Sequence, residues 1–422
     1  MTRRELMRNL AAAGAGCALA AVTGNMTHAA DGPCILLRSS WQTVNIGDIA
    51  HTPGVLRLLE EHLPDAQLML WPCNIDRGVE PMLRAGFPRV QIVRGSLGND
   101  GEPSTPELRT AFDRATLLLH GSGPSVVRAQ DVEGWRRLTG KPYGIYGVTV
   151  SGVNDELRDL LSGARFVYCR DTISLETVRE SGATPPVLEF APDGAFGFHL
   201  RDEDRAAAYM AANGLEEGRF VAAIPRLRYT PYHEIHHREP TEEDLRRAVV
   251  TAEFQEADHA KLREALVLFV RETGLKVLAC PEMIHEMRVA KESLVDPLPE
   301  DVKARVVWRE DYWLPDEATS VYARALGVVS FEMHSPIMAA ANGTPAVHLR
   351  QPTDTCKGQM WRDVGLSRWL FEIDETTGED IAGPLVAFAT DRDGSREYLA
   401  SAMGFVRQRQ EVTMRVVGEA AV

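Results

Sequence analysis

The chain has 422 residues, enough for two domains of ordinary size, and its 44% hydrophobic and 25% charged content is that of a globular protein. A formal net charge of −14 argues against a general nucleic-acid or membrane-surface binder, so an anionic ligand would need a local cationic pocket. No internal repeat or low-complexity tract is present, and no cofactor or metal is expected.

Taken in order, residues 1–30 resemble a twin-arginine signal. Arg3 and Arg4 precede a weakly apolar run, 10–22, that is too short to span a membrane, and Thr27-His28-Ala29 offers small residues for cleavage. That reading implies the twin-arginine (Tat) export machinery as a partner and a periplasmic or exported location. The alternative is a short N-terminal helix on a cytoplasmic protein. Cys17 lacks the large apolar neighbour of a lipoprotein signal. The five cysteines after it are scattered, without CxxC spacing, and read as buried free thiols rather than a disulfide framework.

From residue 31 the pattern alternates. Strands are expected at 35–37, 67–71, 90–93, 116–120, 143–150, 165–169 and 186–190, with helices at 49–62 and 172–181. A second cycle opens at 220–224, passes a loop at 225–240 and a long helical region at 242–272, and continues with strands at 276–279, 305–308 and 326–330. Small residues at 339–341 form a helix that Asn342-Gly343 stops, a strand follows at 344–349, and the tail from 383 to 416 is helical. The fold class is therefore α/β, with two Rossmann-like domains facing a cleft. The boundaries are 1–30 for the signal, 31–212 and 213–384 for the two α/β domains, and 385–422 for a helical tail.

Chemistry-bearing residues fall at strand ends, where parallel sheets place ligand groups. Asn45-Ile46-Gly47-Asp48 combines a close-approach glycine with a helix N-terminus, although Asp48 is equally readable as a plain N-cap. His120-Gly121-Ser122-Gly123 opens another turn and is not a G-x-S-x-G elbow. Arg170 suits a phosphate or carboxylate, or a structural pair with an aspartate, and Asp171 and Ser174 suit a helix cap. Asp193 closes a strand and can orient or deprotonate a hydroxyl, while His334 and Lys357 put a proton-transfer group and a cation at adjacent strand ends. His233-Glu234-Ile235-His236-His237 matches H-E-x-x-H, which raises a zinc hydrolase through His233 and His237. Pro231 and Pro240 leave barely two helical turns for it. Trp41, Trp361 and Trp369 can stack on sugars, with core packing as the default.

In this order and spacing the motifs at 45–48, 120–123, 170–174 and 192–193, with His334, Gly343-Thr344-Pro345 and Lys357, resemble the polysaccharide pyruvyl transferase family over about residues 34–375. The resemblance implies a GT-B-like fold and transfer of a pyruvyl group from phosphoenolpyruvate to a saccharide acceptor, forming a ketal. It implies His334 as the acid, Arg170 and Lys357 as cations, Arg226 or Arg228 as further cations, and Asp193 on the acceptor side. Asn45, Gly47, Asp48, Gly121 and Ser122 would line the substrate site. Where that family commonly has Arg two residues before the histidine, this chain has Glu332. The alternatives are an exported non-catalytic carbohydrate-binding or envelope protein on the same fold, and a nucleotide-sugar glycosyltransferase.

Overall fold

Short apolar runs separated by helical segments form two all-parallel sheets in the computed structural model, which describes residues 32–422. The arginine pair, Cys17 and the expected cleavage site lie outside those residues. The first sheet contains β1 (Cys34–Ser39), β2 (Gln67–Pro72), β3 (Gln91–Ile92), β4 (Leu117–His120), β5 (Tyr143–Val148), β6 (Phe166–Cys169) and β7 (Val187–Phe190). Its order is β3-β2-β1-β4-β5-β6-β7. The second contains β8 (Phe220–Ile224), β9 (Lys276–Ala279), β10 (Val306–Trp308), β11 (Gly327–Ser330), β12 (Ala346–Arg350) and β13 (Leu370–Glu372), in the order β10-β9-β8-β11-β12-β13. Each sheet reverses its winding once, at β1/β4 and at β8/β11, and carboxyl-end crevices at such reversals are where open α/β sheets bind ligands.

Both faces of the first sheet are buried, which is why its strands read as unbroken apolar runs. Ile35 and Leu37 of β1 enter one core with Leu117 and Leu119, whereas Leu36 and Leu118 enter the opposite core with Trp135. Seven helices matter below: α1 (Ile46–His62), α2 (Thr172–Glu180), α3 (Glu242–Thr273), α4 (His334–Ala341), α5 (Lys357–Asp363), α6 (Gly378–Thr390) and α7 (Arg392–Ala420). The second core gathers Leu262, Leu266 and Phe269 of α3 beneath β8 and β11, and it also takes Ile46, Ala50, Phe196 and Phe198 from the first half. Pro33–Val422 is accordingly one compact unit.

The expected helical tail is two helices, α6 and α7, broken at Asp391. α7 runs back to the first sheet: Met414 and Val417 pack with Ile35 and Leu37, and Arg409 donates to Glu189 Oε2 at 2.9 Å. None of the helices among the described residues is long and apolar enough to cross a membrane.

The H-E-x-x-H reading does not survive. Its helix spans only Tyr232–Ile235 and His237 takes φ +50°, so His233 and His237 do not share a helical face. Trp361 and Trp369 are buried in the second core and are not available to a sugar.

Candidate active site

Asn45 caps α1 by accepting from the backbone N–H of Gly47 at 2.6 Å and of Asp48 at 3.2 Å. Its oxygen is therefore spent on the helix, which starts three residues earlier than expected. Gly47 faces the His334 ring so closely that an added Cβ would overlap the ring atoms. His51, one turn further along α1, lies edge-on to His334 with ring centroids 4.7 Å apart. Beyond it, Gly54 permits the turn Gly194–Gly197 to lie against the helix backbone. That turn is capped by Asp193, which accepts from Ala195 N–H at 2.8 Å.

Asp193 thus sits between the two histidines, 3.0 Å from His51 Nδ1 and 3.9 Å from His334 Nε2. Arg170, delivered by β6, donates to Asp193 Oδ2 at 2.7 Å and to Thr149 Oγ1 at 2.7 Å. Ser122 ties the same turn down, donating to Gly147 O at 2.7 Å and accepting from Gly194 N–H at 3.1 Å. Gly121 lets this segment pack on Ser39. Arg170, Asp193 and Ser122 are all buried, so Arg170 is a structural partner of Asp193 rather than an open anion ligand. Asp193, with both oxygens taken, orients its neighbours rather than deprotonating a hydroxyl. Asp171 caps α2, accepting from Ser174 N–H at 2.7 Å, whereas Ser174 does not cap: its hydroxyl accepts from Val150 N–H at 2.9 Å.

The second half supplies a carboxylate that sequence reasoning missed. Glu282, just beyond β9, accepts from Ser335 N–H at 2.6 Å and Ser335 Oγ at 2.7 Å, and its Oε1 lies 3.5 Å from His334 Nδ1. Its loop is joined to the first half through Ile46 N–H to Glu282 O and Ile284 N–H to Val44 O, both 3.0 Å. Glu286 supports the loop from below, accepting from the backbone of Glu282 and Met283 at 2.8 and 2.9 Å.

Protonation follows from these contacts. Burial alone would depress the His334 pKa, but Asp193 and Glu282 more than offset it and raise it to about 9. His51 is pushed the other way: burial lowers its pKa, Asp193 only partly compensates, and His334 and Arg170 add repulsion. The pair is therefore an imidazolium beside a neutral imidazole. Burial would raise Asp193, yet its carboxyl is held well below the usual range, with Arg170 the neighbour that is charged at every pH. Burial, reinforced by Glu332 and Glu282, lifts Glu286 well above the ordinary glutamate value.

The donor atoms of His51, Asp193 and His334 fall within 4.8 Å of one another, close enough for a metal. Arg170 and Ala195 N–H already occupy Asp193, and a guanidinium 2.7 Å away opposes a second cation. The charges favour protons here.

Glu332 does not stand unpaired in the cleft. Arg226, two residues after β8, donates to Glu332 Oε1 at 2.9 Å and Gln351 Oε1 at 2.9 Å, and pairs with Asp354 at 2.5 Å. Arg226 is therefore held by internal carboxylates, and Arg228 is likewise held by Asp258 and Asp374. Lys357, the first residue of α5, is half-buried and has no ion pair among the described residues. Asp48 accepts from Gln42 at the cleft edge, 3.9 Å from His51 Nε2. His120 is a packing residue: it stacks on Trp41 and bonds Val127 O, and burial lowers its pKa to about 4.

A search of curated protein sequences returns no match. Solved structures resemble the chain over most of its length. The Anabaena Alr3699/HepE protein in complex with UDP and glucose gives a TM-score of 0.54 at 10% identity, covering 90% of this chain and 96% of that one. The UDP-GlcNAc 2-epimerase from Neisseria meningitidis bound to UDP-GlcNAc gives 0.52 at 10%, covering 91% and 99%. The E. coli ADP-heptose lipopolysaccharide heptosyltransferase II gives 0.50 at 13%, covering 86% and 99%. At such identities the likeness is one of fold, the GT-B arrangement of two parallel α/β halves. A family model for polysaccharide pyruvyl transferase matches residues 45–351, the stretch that carries His51, Asp193, Glu282 and His334. The chain belongs to the polysaccharide pyruvyl transferase family.

Proposed function

We propose that this protein transfers a pyruvyl group from phosphoenolpyruvate to two hydroxyls of a saccharide, releasing phosphate and leaving a ketal. The observation that carries the reading is the His334 imidazolium, held between Asp193 and Glu282 where the carboxyl edges of the two sheets meet. A group kept protonated to about pH 9 is a suitable acid for the enol methylene carbon. Protonation there makes the adjoining carbon electrophilic. One sugar hydroxyl adds as its proton departs, the carbon–oxygen bond to phosphate breaks, and the second hydroxyl closes the ring. Of the two hydroxyl protons, one replaces the proton that His334 gave up and the other leaves with phosphate. Lys357 is the cation suited to the donor, because Arg170 and Arg226 are engaged internally. Neutral His51 is the member of the pair able to accept a proton.

A specific observation favours a second reading. Glu332 and Asp354 consume the charge of Arg226, which leaves fewer cations for a phosphorylated donor and suits a binding protein on the same fold. Nucleotide-sugar transfer rests on the fold alone. Phosphate release from phosphoenolpyruvate with a panel of saccharides separates these readings. Acceptor-dependent release that His334→Ala abolishes, with the fold retained by circular dichroism, is the expected result. Full activity in that variant would refute the assignment. Export through a twin-arginine signal is a separate proposal, tested by locating the chain and its Arg3→Lys, Arg4→Lys variant in cell fractions.

A further inference from the structure

The loop between β8 and α3 runs for about seventeen residues, long for a connection in a compact α/β fold, and such loops are usually functional. Its ends are fixed. Arg226 is tied to Glu332, Gln351 and Asp354, Arg228 to Asp258 and Asp374, and Arg238 to Asp244 at 2.7 and 2.9 Å. Between these fixed points, Arg288 reaches Glu234 at 3.2 Å. What the loop presents at its crest is an aromatic pair. Tyr232 and His236 stack nearly parallel, 8° between planes and 5.7 Å between centroids, and both are exposed.

Tyr232 is divided between two environments. The residue is 36% exposed, yet its hydroxyl end is buried, which raises its pKa, and it faces Asp48 and Gln42 of the first half and Glu332 and Arg226 of the second. Tyr232 therefore stands beside groups of both halves, Asp48, which lies 3.9 Å from His51, and Glu332, two residues before His334. A flat aromatic face beside hydrogen-bonding carboxylate and amide groups suits a pyranose: its axial C–H face lies on the ring while its hydroxyls reach the polar edge.

We propose that Tyr232 and His236 form the platform of a saccharide subsite, which orients the acceptor so that its diol points down the cleft to His334. The H-E-x-x-H segment thereby serves recognition, with Tyr232 the main contact and His236 extending the surface. The fixed loop ends pre-order the platform, so little conformational entropy is lost on binding. The inference rests on the pyruvyl-transfer reading for the identity of the acceptor, but not for the existence of the subsite.

The test measures binding apart from turnover. Full-length protein is titrated calorimetrically with neutral disaccharides ending in glucose, galactose or mannose, and separately with phosphoenolpyruvate, for the native chain, Tyr232→Ala and Tyr232→Trp. The expected result is saccharide binding that Tyr232→Ala weakens about tenfold, that Tyr232→Trp retains, and no change in phosphoenolpyruvate affinity. Unchanged saccharide affinity in Tyr232→Ala overturns the proposal, as does the absence of binding to every disaccharide. Equal loss of both ligands also overturns it, since that marks general damage. Tyr232-dependent saccharide binding without phosphate release would leave the subsite standing and refute the donor.

Discussion

The contact between Gly47 and His334 is the tightest constraint on the chemistry. A methyl group on residue 47 would occupy the space of the imidazole, so the ring must turn away from Asp193 or the two halves must separate locally. Gly47→Ala is expected to fold and to lose most of its activity, about a hundredfold in kcat, as measured by phosphate release with circular dichroism as the control. Glu282 acts on the same ring from the other side. Glu282→Gln keeps an acceptor for Ser335 but removes one of the two charges that hold His334 protonated. The His334 pKa should then fall from about 9 toward its ordinary value, which histidine-labelled NMR titration detects, and the alkaline limb of the rate profile should move down with it. An unmoved titration would show that Asp193 alone sets the charge.

At the scale of elements, strands were the most legible part of the sequence. Phe220–Ile224 and Lys276–Ala279 stand where their apolar runs placed them, because buried parallel strands need continuous hydrophobic residues. The site was legible in part. Strand-end logic found Asp193, Arg170 and His334, but not what engages them. His51 was missed because α1 was expected to begin after Asp48, which hid its position one turn beyond Gly47. Glu282 was missed because its role arises from a cross-half pairing, Asn45 with Met283, that local pattern does not encode. The tail could be read as helical, whereas its docking site could not. Met414 of α7 is fully buried among residues of the first sheet, so Met414→Ala should cost about 2–5 kcal/mol, seen as a lower midpoint in urea, with little effect on saccharide binding.

For the whole molecule, histidines that are wholly or partly withdrawn from water shape the dependence of stability on pH. His120, His199, His285 and His348 have pKa values lowered to about 4, chiefly by burial. Groups depressed in this way stay neutral when folded, so their unfavourable contribution appears as pH falls from about 6.5 toward 4. His334 has the opposite sign. Its raised pKa stabilises the fold fully below about 6.5, and that contribution is lost as pH rises through about 9. Urea denaturation across this range should therefore show maximal stability near about pH 6.5, with His334→Gln flattening the alkaline side only.

The return of α7 to the first sheet brings the two ends of the described chain together. Thr116 Oγ1 accepts from Cys34 N–H at 3.1 Å and donates to Ala421 O at 2.7 Å, so one hydroxyl links the start of β1 to the end of α7. The junction lies at the amino edge of the sheet, a full strand length from the cleft at its carboxyl edge. A circular permutant joining residue 422 to 33 through a short linker, and opened at the exposed 238–240 turn, should close on the same core. A tether attached at residue 33 or residue 422 would leave from the side opposite the cleft, so a surface-bound form would still present that cleft outward.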